Sequence, residues 1–500
     1  MKKNILVSVM GVMMLAACSD FLDIRPEGTV TSTGMDYTKA ENIFKPVSAA
    51  YANLRSNSVH AFAYIGAFEI TSDNADKGST PEDNPTMKQL DDFAYDASNT
   101  LINELWTGNF DVVSSANNAI LQMPKFESAM FDEANKLASR QGAAEAKVIR
   151  AYAYFNLTRL FGRVPIIDST NTSEELRIKP QSSTIQLYAF IEKDLNEAIS
   201  VLPESYPKNW AGRISKYTAM AIKAKVHMYH ASIENPAANW DSVASLTDQI
   251  MASGKFDLLP DFREVFSIDG ENSTESLFEI QSSTFGQATG ETTFLEYAFV
   301  QGPRGNAPSN MQGWGFCTPS ANLIDFFTTR GDSVRALTTF LYRGTKTPEG
   351  DSIKMSSSNP IYNGKVYTPA IYNKWNFNGY GFDHNVRILR YSDVLLMFAE
   401  AKAQGATLGI TSGMDALSAL NKVRERVNLA PSGSATLQNI WDERRAELAL
   451  EEDRFFDLVR TGQATTALAS KGYNPAKHKL FPIPSTQLQL NSNLTQNTNY

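Results

Sequence analysis

The chain has 500 residues, 42% of them hydrophobic and 20% charged, with a formal net charge of −8. That is the composition of an ordinary globular protein, with length enough for two or three packed units. Lys and Arg are scattered with no basic block, which excludes the electrostatic footprint of a nucleic-acid binder.

In chain order, Lys2 and Lys3 precede an apolar run from Ile5 to Leu15 and then Leu15-Ala16-Ala17-Cys18. This is the pattern of an export signal. A cysteine directly after Leu-Ala-Ala resembles a bacterial lipobox, so residues 1–17 are expected to be removed and Cys18 to become a lipidated N-terminus. A membrane span needs about 20 apolar residues, and this run has roughly half that. More than one acyl chain, at about 0.8 kcal/mol per buried methylene, makes a stable anchor. The mature domain is therefore expected on a membrane and not in it, with residues 18–36 as a tether. With Cys18 acylated only Cys317 remains, which leaves no intramolecular disulfide and places stability in the core.

The segments 98–123, 130–161, 184–202, 214–233 and 239–253 carry apolar residues at helical spacing, as do 391–405, 413–428 and 436–451. Val148, Tyr152 and Phe155 recur along one face, as do Ala219, Ile222, Val226 and Tyr229, and Leu417, Leu420, Val423 and Val427. Short links between some of them suit antiparallel helix pairs of the tetratricopeptide type, although no fixed 34-residue period can be read. Trp106, inside a helical stretch, is expected in the core.

From 255 to 390 the texture changes to Gly, Pro, Ser and Asn mixed with aromatics. This region reads as long surface loops. Loops of that length are functional or disordered, and Trp314, Phe316, Trp375 and Tyr380 argue for function. The chain thus divides into a helical region at 37–254, a loop-rich ligand-binding region at 255–390 and a second helical region at 391–500.

Few catalytic patterns are present. The chain lacks His-Glu-x-x-His, Gly-x-Ser-x-Gly and a phosphate-binding Gly-x-x-x-x-Gly-Lys. His227 and His230 lie three apart on a helix, but the sequence shows no nearby acidic or cysteine partner to complete a metal site. No metal and no cofactor is expected. Glu443, Arg444, Arg445, Glu447, Arg454 and Asp457 alternate in sign at helical spacing and read as structural ion pairs.

Several motifs together resemble the SusD/RagB family of outer-membrane nutrient-binding lipoproteins. Cys18-Ser19-Asp20-Phe21-Leu22-Asp23 is similar to the family's opening, and an Arg150-Ala151-Tyr152 helix runs into Phe161-Gly162-Arg163-Val164-Pro165. Further matches are Arg390-Tyr391-Ser392-Asp393, Asp442-Glu443-Arg444-Arg445-Ala446-Glu447, Glu451-Glu452-Asp453-Arg454-Phe455-Phe456-Asp457 and Phe481-Pro482-Ile483-Pro484. Asp453 stands where the family usually has glycine, and Ser492, Thr498 and Asn499 replace Pro, Pro and Gly. Asp tolerates a left-handed backbone, so position 453 is expected to keep a helix break.

The resemblance implies a mainly α SusD-like fold with degenerate helix pairs and a loop-rich, aromatic-containing insert. It implies a lipid-anchored protein of the outer membrane, facing the cell exterior, that captures an oligosaccharide for a SusC-like TonB-dependent transporter and is not an enzyme. A peptide ligand, as in RagB-like relatives, a surface glycoside hydrolase, and a scaffold that contacts no ligand are the alternatives. Sugar rings stack on aromatic faces while their hydroxyls need amides and carboxylates. Trp314 is the first choice of platform, with Phe316 and Asn310 beside it. Tyr297 and Trp375 are further candidates, and Asp73 and Asn74 are candidate hydroxyl partners. A loop tryptophan can equally be an anchor to the core. The loop at 71–78 lacks the alternating oxygen ligands of an EF-hand.

Overall fold

The computed structural model describes residues 34–170, 178–283, 295–306, 312–372 and 382–500. Its main helices are α1 (Lys45–Leu54), α2 (Thr100–Ala129), α3 (Glu133–Phe161), α4 (Thr184–Ile199), α5 (Lys216–His230) and α6 (Pro236–Ala252). Towards the C-terminus follow α7 (Tyr391–Ala403), α8 (Ala416–Arg426), α9 (Leu437–Glu447) and α10 (Arg454–Arg460).

Side chains fix where these helices begin. The amides at a helix start have no partner within the helix, and Ser, Thr, Asn or Asp at the cap supplies one. Asn99 accepts the Leu101 amide at 3.1 Å and Asp132 the Asn135 amide at 2.9 Å. Ser183 with Gln186, and Ser215 with Thr218, form reciprocal capping boxes at the starts of α4 and α5. Gly162 ends α3 at φ +73°, a backbone conformation that calls for glycine.

Each helix packs on the next along the chain, from α1 to α7, and α7 then packs on both α8 and α9. The expected apolar stripes face inward: Val148, Ala151, Tyr152, Ala153 and Phe155 of α3 and Ala219, Ile222, Val226 and Tyr229 of α5 are buried. Each large side chain among them contributes about 2 kcal/mol. Trp106 is in the core, edge-on to Phe161 at 5.1 Å. Helix α2 continues through Pro124 to Ala129, beyond the expected end. Proline removes one backbone bond, but Met123 and Phe126 on either side of it are buried against Val47 and Ala146, and that packing carries the helix onward. Among the described residues no helix is long and apolar enough to cross a membrane.

The stretch expected as long surface loops is more ordered than that. Strand β1 (Ala75–Gly78) pairs antiparallel with β3 (Phe316–Pro319), Ala75 opposite Pro319 and Gly78 opposite Phe316. Strand β2 (Ser276–Ile280) pairs with β6 (Val386–Arg390), and β4 (Phe340–Tyr342) with β5 (Ile361–Asn363). The helix Ala321–Arg330 lies between them in sequence. Three- to five-residue strands paired far along the chain leave little alternation to read. The first ladder fastens the segment after Asn74 to the segment after Trp314.

The charge run around α9 is an ion-pair lattice, as its spacing predicts. Arg444 reaches Asp393 at 2.5 Å and Asp457 at 3.3 Å, Glu443 takes Arg330 and Arg424 at 2.7 Å each, and Glu447 takes Arg390 at 3.0 Å and Arg426. The break after α9 is made differently from the expectation. Leu450 and Glu452 hold positive φ, at 62° and 75°, whereas Asp453 sits at φ −118°. Asp453 instead uses its carboxylate, which receives Arg159 at 2.8 Å and also Lys225.

Candidate functional site

Trp314 sits where the β1–β3 ladder meets the short helix Tyr297–Gln301. Its amide donates to the Phe299 carbonyl at 3.0 Å, and its own carbonyl lies 2.8 Å from Ser79 Oγ. Two rings brace the indole edge-on: Phe62 at 6.0 Å and 83°, and Phe299 at 5.6 Å and 81°. Trp314 itself stays partly exposed. Phe299 also meets Phe382 at 5.6 Å, and Leu295 bridges to Phe382, so separate stretches of the insert converge on this ring cluster. Edge-to-face pairs add about 0.5–1.5 kcal/mol each beyond burial, which makes a firm stage for the indole.

A polar rim stands beside it. Ser79 Oγ is 2.7 Å from Asp83 Oδ2, and Arg304 reaches the same Asp83 oxygen at 2.6 Å and Ser79 Oγ at 3.1 Å. The Ser79 hydroxyl beside Asp83, with Arg304 beyond, holds that carboxyl below its usual range. It is therefore an acceptor for hydroxyls and a poor proton donor at neutral pH.

The glycines flanking Trp314 have a different use from the one their sequence suggests. A Cβ on Gly313 would lie 2.4 Å from Gly302 Cα, and Gly315 donates to the Gly302 carbonyl at 2.9 Å. They permit two backbones to touch.

The other expected contacts are interior. Phe316 is buried, 5.0 Å from Phe62 and nearly perpendicular to it. Tyr297 is buried and donates its hydroxyl to Glu452 Oε1 at 3.0 Å. Asp73 holds Arg454 through both oxygens, at 2.8 and 3.0 Å, and Arg445 at 3.2 Å. Despite its burial, those guanidinium groups keep Asp73 below the usual carboxylate range. Asn74 Oδ1 accepts from Arg445 Nε at 3.0 Å. Tyr297, Phe316, Asp73 and Asn74 are therefore buried and held by partners inside the fold, where the sequence led us to expect ligand contacts. Asn310, Trp375 and Cys18 lie outside the described residues.

Sequence reasoning missed Ser79, Asp83, Arg304 and Phe62, which gather only when β1 pairs with β3. It also missed a second aromatic cleft, with about 250 Å³ of space, lined by Phe44, Tyr51, Trp210, Arg213 and Gln281. Trp210 is 42% exposed there, and Arg213 lies over Phe44 and Trp210 at 4.4 and 5.2 Å. The histidine pair is corrected too. Glu192 of α4 stands 2.9 Å from His230 Nδ1 and 3.7 Å from His227 Nδ1.

Comparison with known proteins bears on both ends of the chain. A profile described as "Starch-binding associating with outer membrane" matches residues 20–228, and one described as "SusD family" matches residues 345–500. A SusD-like protein of Bacteroides ovatus is 27% identical over 92% of this chain and 82% of its own length. SusD-like protein P2 of Formosa agariphila is 26% identical over 99% of each. The structure of surface glycan-binding protein A from Bacteroides thetaiotaomicron in complex with laminarihexaose superposes with a TM-score of 0.76 at 24% identity, covering 92% of this chain and 99% of that one. With the helical architecture, these matches establish that the chain belongs to the SusD/RagB family.

Proposed function

We propose that the protein is a non-catalytic, cell-surface lipoprotein that captures an oligosaccharide on Trp314 and passes it to a SusC-like TonB-dependent transporter of the outer membrane. The observation that carries this reading is the Trp314 stage: a partly exposed indole braced edge-on by Phe62 and Phe299, with Ser79, Asp83 and Arg304 alongside. A sugar's apolar face stacks on such a ring while its hydroxyls find polar partners at the edge. The starch-binding description of the matching profile, and the laminarihexaose complex of a protein with the same fold, support a glycan over other nutrients. The Leu15-Ala16-Ala17-Cys18 sequence supports the lipid anchor.

The test is calorimetric titration of the soluble chain beginning at Ser19 against β-glucan and α-glucan oligosaccharides, other polysaccharides and peptides, with each mixture assayed for cleavage products. Binding of a glycan without turnover, lost in Trp314→Ala, is the expected result. Binding of peptides alone replaces the ligand class, product formation makes the protein an enzyme, and affinity unchanged in Trp314→Ala removes Trp314 from the site.

A further inference from the structure

We propose that Glu192, His227 and His230 form a binding site for one zinc ion, which ties α4 to α5 away from the glycan stage. His227 and His230 sit three residues apart on the last turn of α5, and Glu192 comes from the facing turn of α4. One ligand atom from each of the three lies within 4.8 Å of the others, and they form the only such group of three among the described residues.

The spacing suits a small ion. Zinc bonds to nitrogen and oxygen are about 2.0–2.1 Å, which places neighbouring ligand atoms of a tetrahedron about 3.3 Å apart. Glu192 Oε1 is 2.9 Å from His230 Nδ1 and 3.7 Å from His227 Nδ1, one distance on each side of that value.

The surroundings orient His230 as they do a metal-bound imidazole, whose far nitrogen gives its proton to a carboxylate or amide. His230 Nε2 lies 3.1 Å from Glu234 Oε1. With the proton on Nε2, Nδ1 turns its lone pair towards Glu192. The His230 ring is held flat against Tyr188, 4.3 Å away at an interplanar angle of 3°. Asn239 donates through Nδ2 to the Glu234 and Asn235 carbonyls, at 2.9 and 3.3 Å, so its oxygen faces His227 Nδ1 at 2.7 Å. His227 Nδ1 donates that bond, so an ion taken up there displaces its proton and ends the bond to Asn239.

Both imidazoles are buried, while Glu192 and Glu234 are partly exposed, so an ion enters from the carboxylate side. Two imidazoles and one carboxylate select zinc and its neighbours among the transition metals over calcium and magnesium, which take oxygen. Three protein ligands leave the fourth position to water.

The test uses the tag-free chain beginning at Ser19, stripped with a chelator and dialysed. Zinc chloride is titrated calorimetrically, calcium chloride serves as the control, and cobalt(II) as a visible-absorbing substitute. One equivalent of zinc bound at micromolar concentration, no calcium binding, and the visible bands of tetrahedral cobalt are expected. Glu192→Gln, nearly isosteric at a partly exposed position, and His230→Ala should each weaken zinc at least tenfold. Circular dichroism checks their folding, and Glu192→Gln with the cobalt spectrum decides the matter if His230→Ala does not fold. No stoichiometric zinc binding, equal affinity in the folded variants, or equal affinity for calcium overturns the proposal and leaves an ordinary hydrogen-bonded cluster.

Discussion

Arg159 Nη1 donates to Asp453 Oδ1 at 2.8 Å, a contact that joins α3 to the residue preceding α10 across 294 positions of sequence. Lys225 of α5 reaches the other oxygen of the same carboxylate. Both cations are more than nine-tenths buried. Removing one partner of a buried ion pair leaves a charge stranded and costs about 3–5 kcal/mol. Here Lys225 keeps Asp393 at 3.2 Å and Arg159 keeps Asn156 at 2.6 Å, so Asp453→Asn should destabilise the protein by about 3 kcal/mol. Urea unfolding of the variant, with an unchanged slope and an earlier midpoint, checks it.

The helices were legible because their signals are local. Ser183 and Gln186 are three apart, Gly162 and Pro165 close α3, and the α5 stripe repeats every turn. The supports of the site were hidden because their partners are remote. Asp73, which looks like a hydroxyl ligand in the sequence, meets Arg454 from 381 residues away, and that contact turns an exposed loop into a buried strut. Glu192 is likewise invisible beside His227 until α4 packs on α5. Trp314 was legible as a candidate, whereas the rings that brace it come from remote segments, Phe62 from between α1 and α2 and Phe299 from the insert.

Trp314, partly exposed, and Trp210, exposed, make the proposed glycan site decidable by paired substitution. Trp314→Ala should lower glycan affinity at least tenfold, equivalent to about 1.4 kcal/mol, with a small change in melting temperature. Trp210→Ala should leave glycan affinity within about twofold, since Trp210 lies in the separate cleft with Phe44 and Arg213. Calorimetry on both variants with the same glycan separates the two surfaces, and the reverse pattern moves the binding site to the Trp210 cleft.

Gly313→Ala tests whether the backbone contact behind Trp314 sets the indole's position. The new methyl would meet Gly302 Cα, C and O at 2.4–2.5 Å, and backbone cannot rotate away as a side chain can. Overpacking of this kind costs about 1–3 kcal/mol. The strain falls on the segment that carries Trp314, so affinity should drop several-fold while far-ultraviolet circular dichroism stays unchanged. Calorimetry beside the dichroism spectrum reads both effects, and full affinity in the variant would mean the stage does not depend on this approach.

Below the stage, Glu69 and Glu452 form a buried acidic pair, with the Glu452 amide donating to Glu69 Oε2 at 2.9 Å. Burial pushes the Glu69 carboxyl up from 4.5 to about 7, and burial with the Glu69 charge raises Glu452 well above the usual range. The folded state thus holds protons that the unfolded state releases near pH 4.5. A carboxyl raised on folding contributes stability that is complete below the unfolded value and is lost as pH climbs through the folded one. These two carboxyls therefore pull the melting temperature down between about pH 5 and pH 8, against the rise produced by ordinary paired carboxylates and by the imidazoles of His60, His384 and His478, which burial keeps neutral. Glu69→Gln keeps the shape and removes the charge, so it should take away the Glu69 share of that downward pull and gain stability relative to the parent between pH 5 and pH 8. Glu452, which burial still raises, and Glu271, which burial raises to about 7, keep their shares of the pull in this variant. Thermal melts of both proteins at half-unit pH steps measure the difference; parallel curves would mean that Glu69 is ionised in the fold throughout.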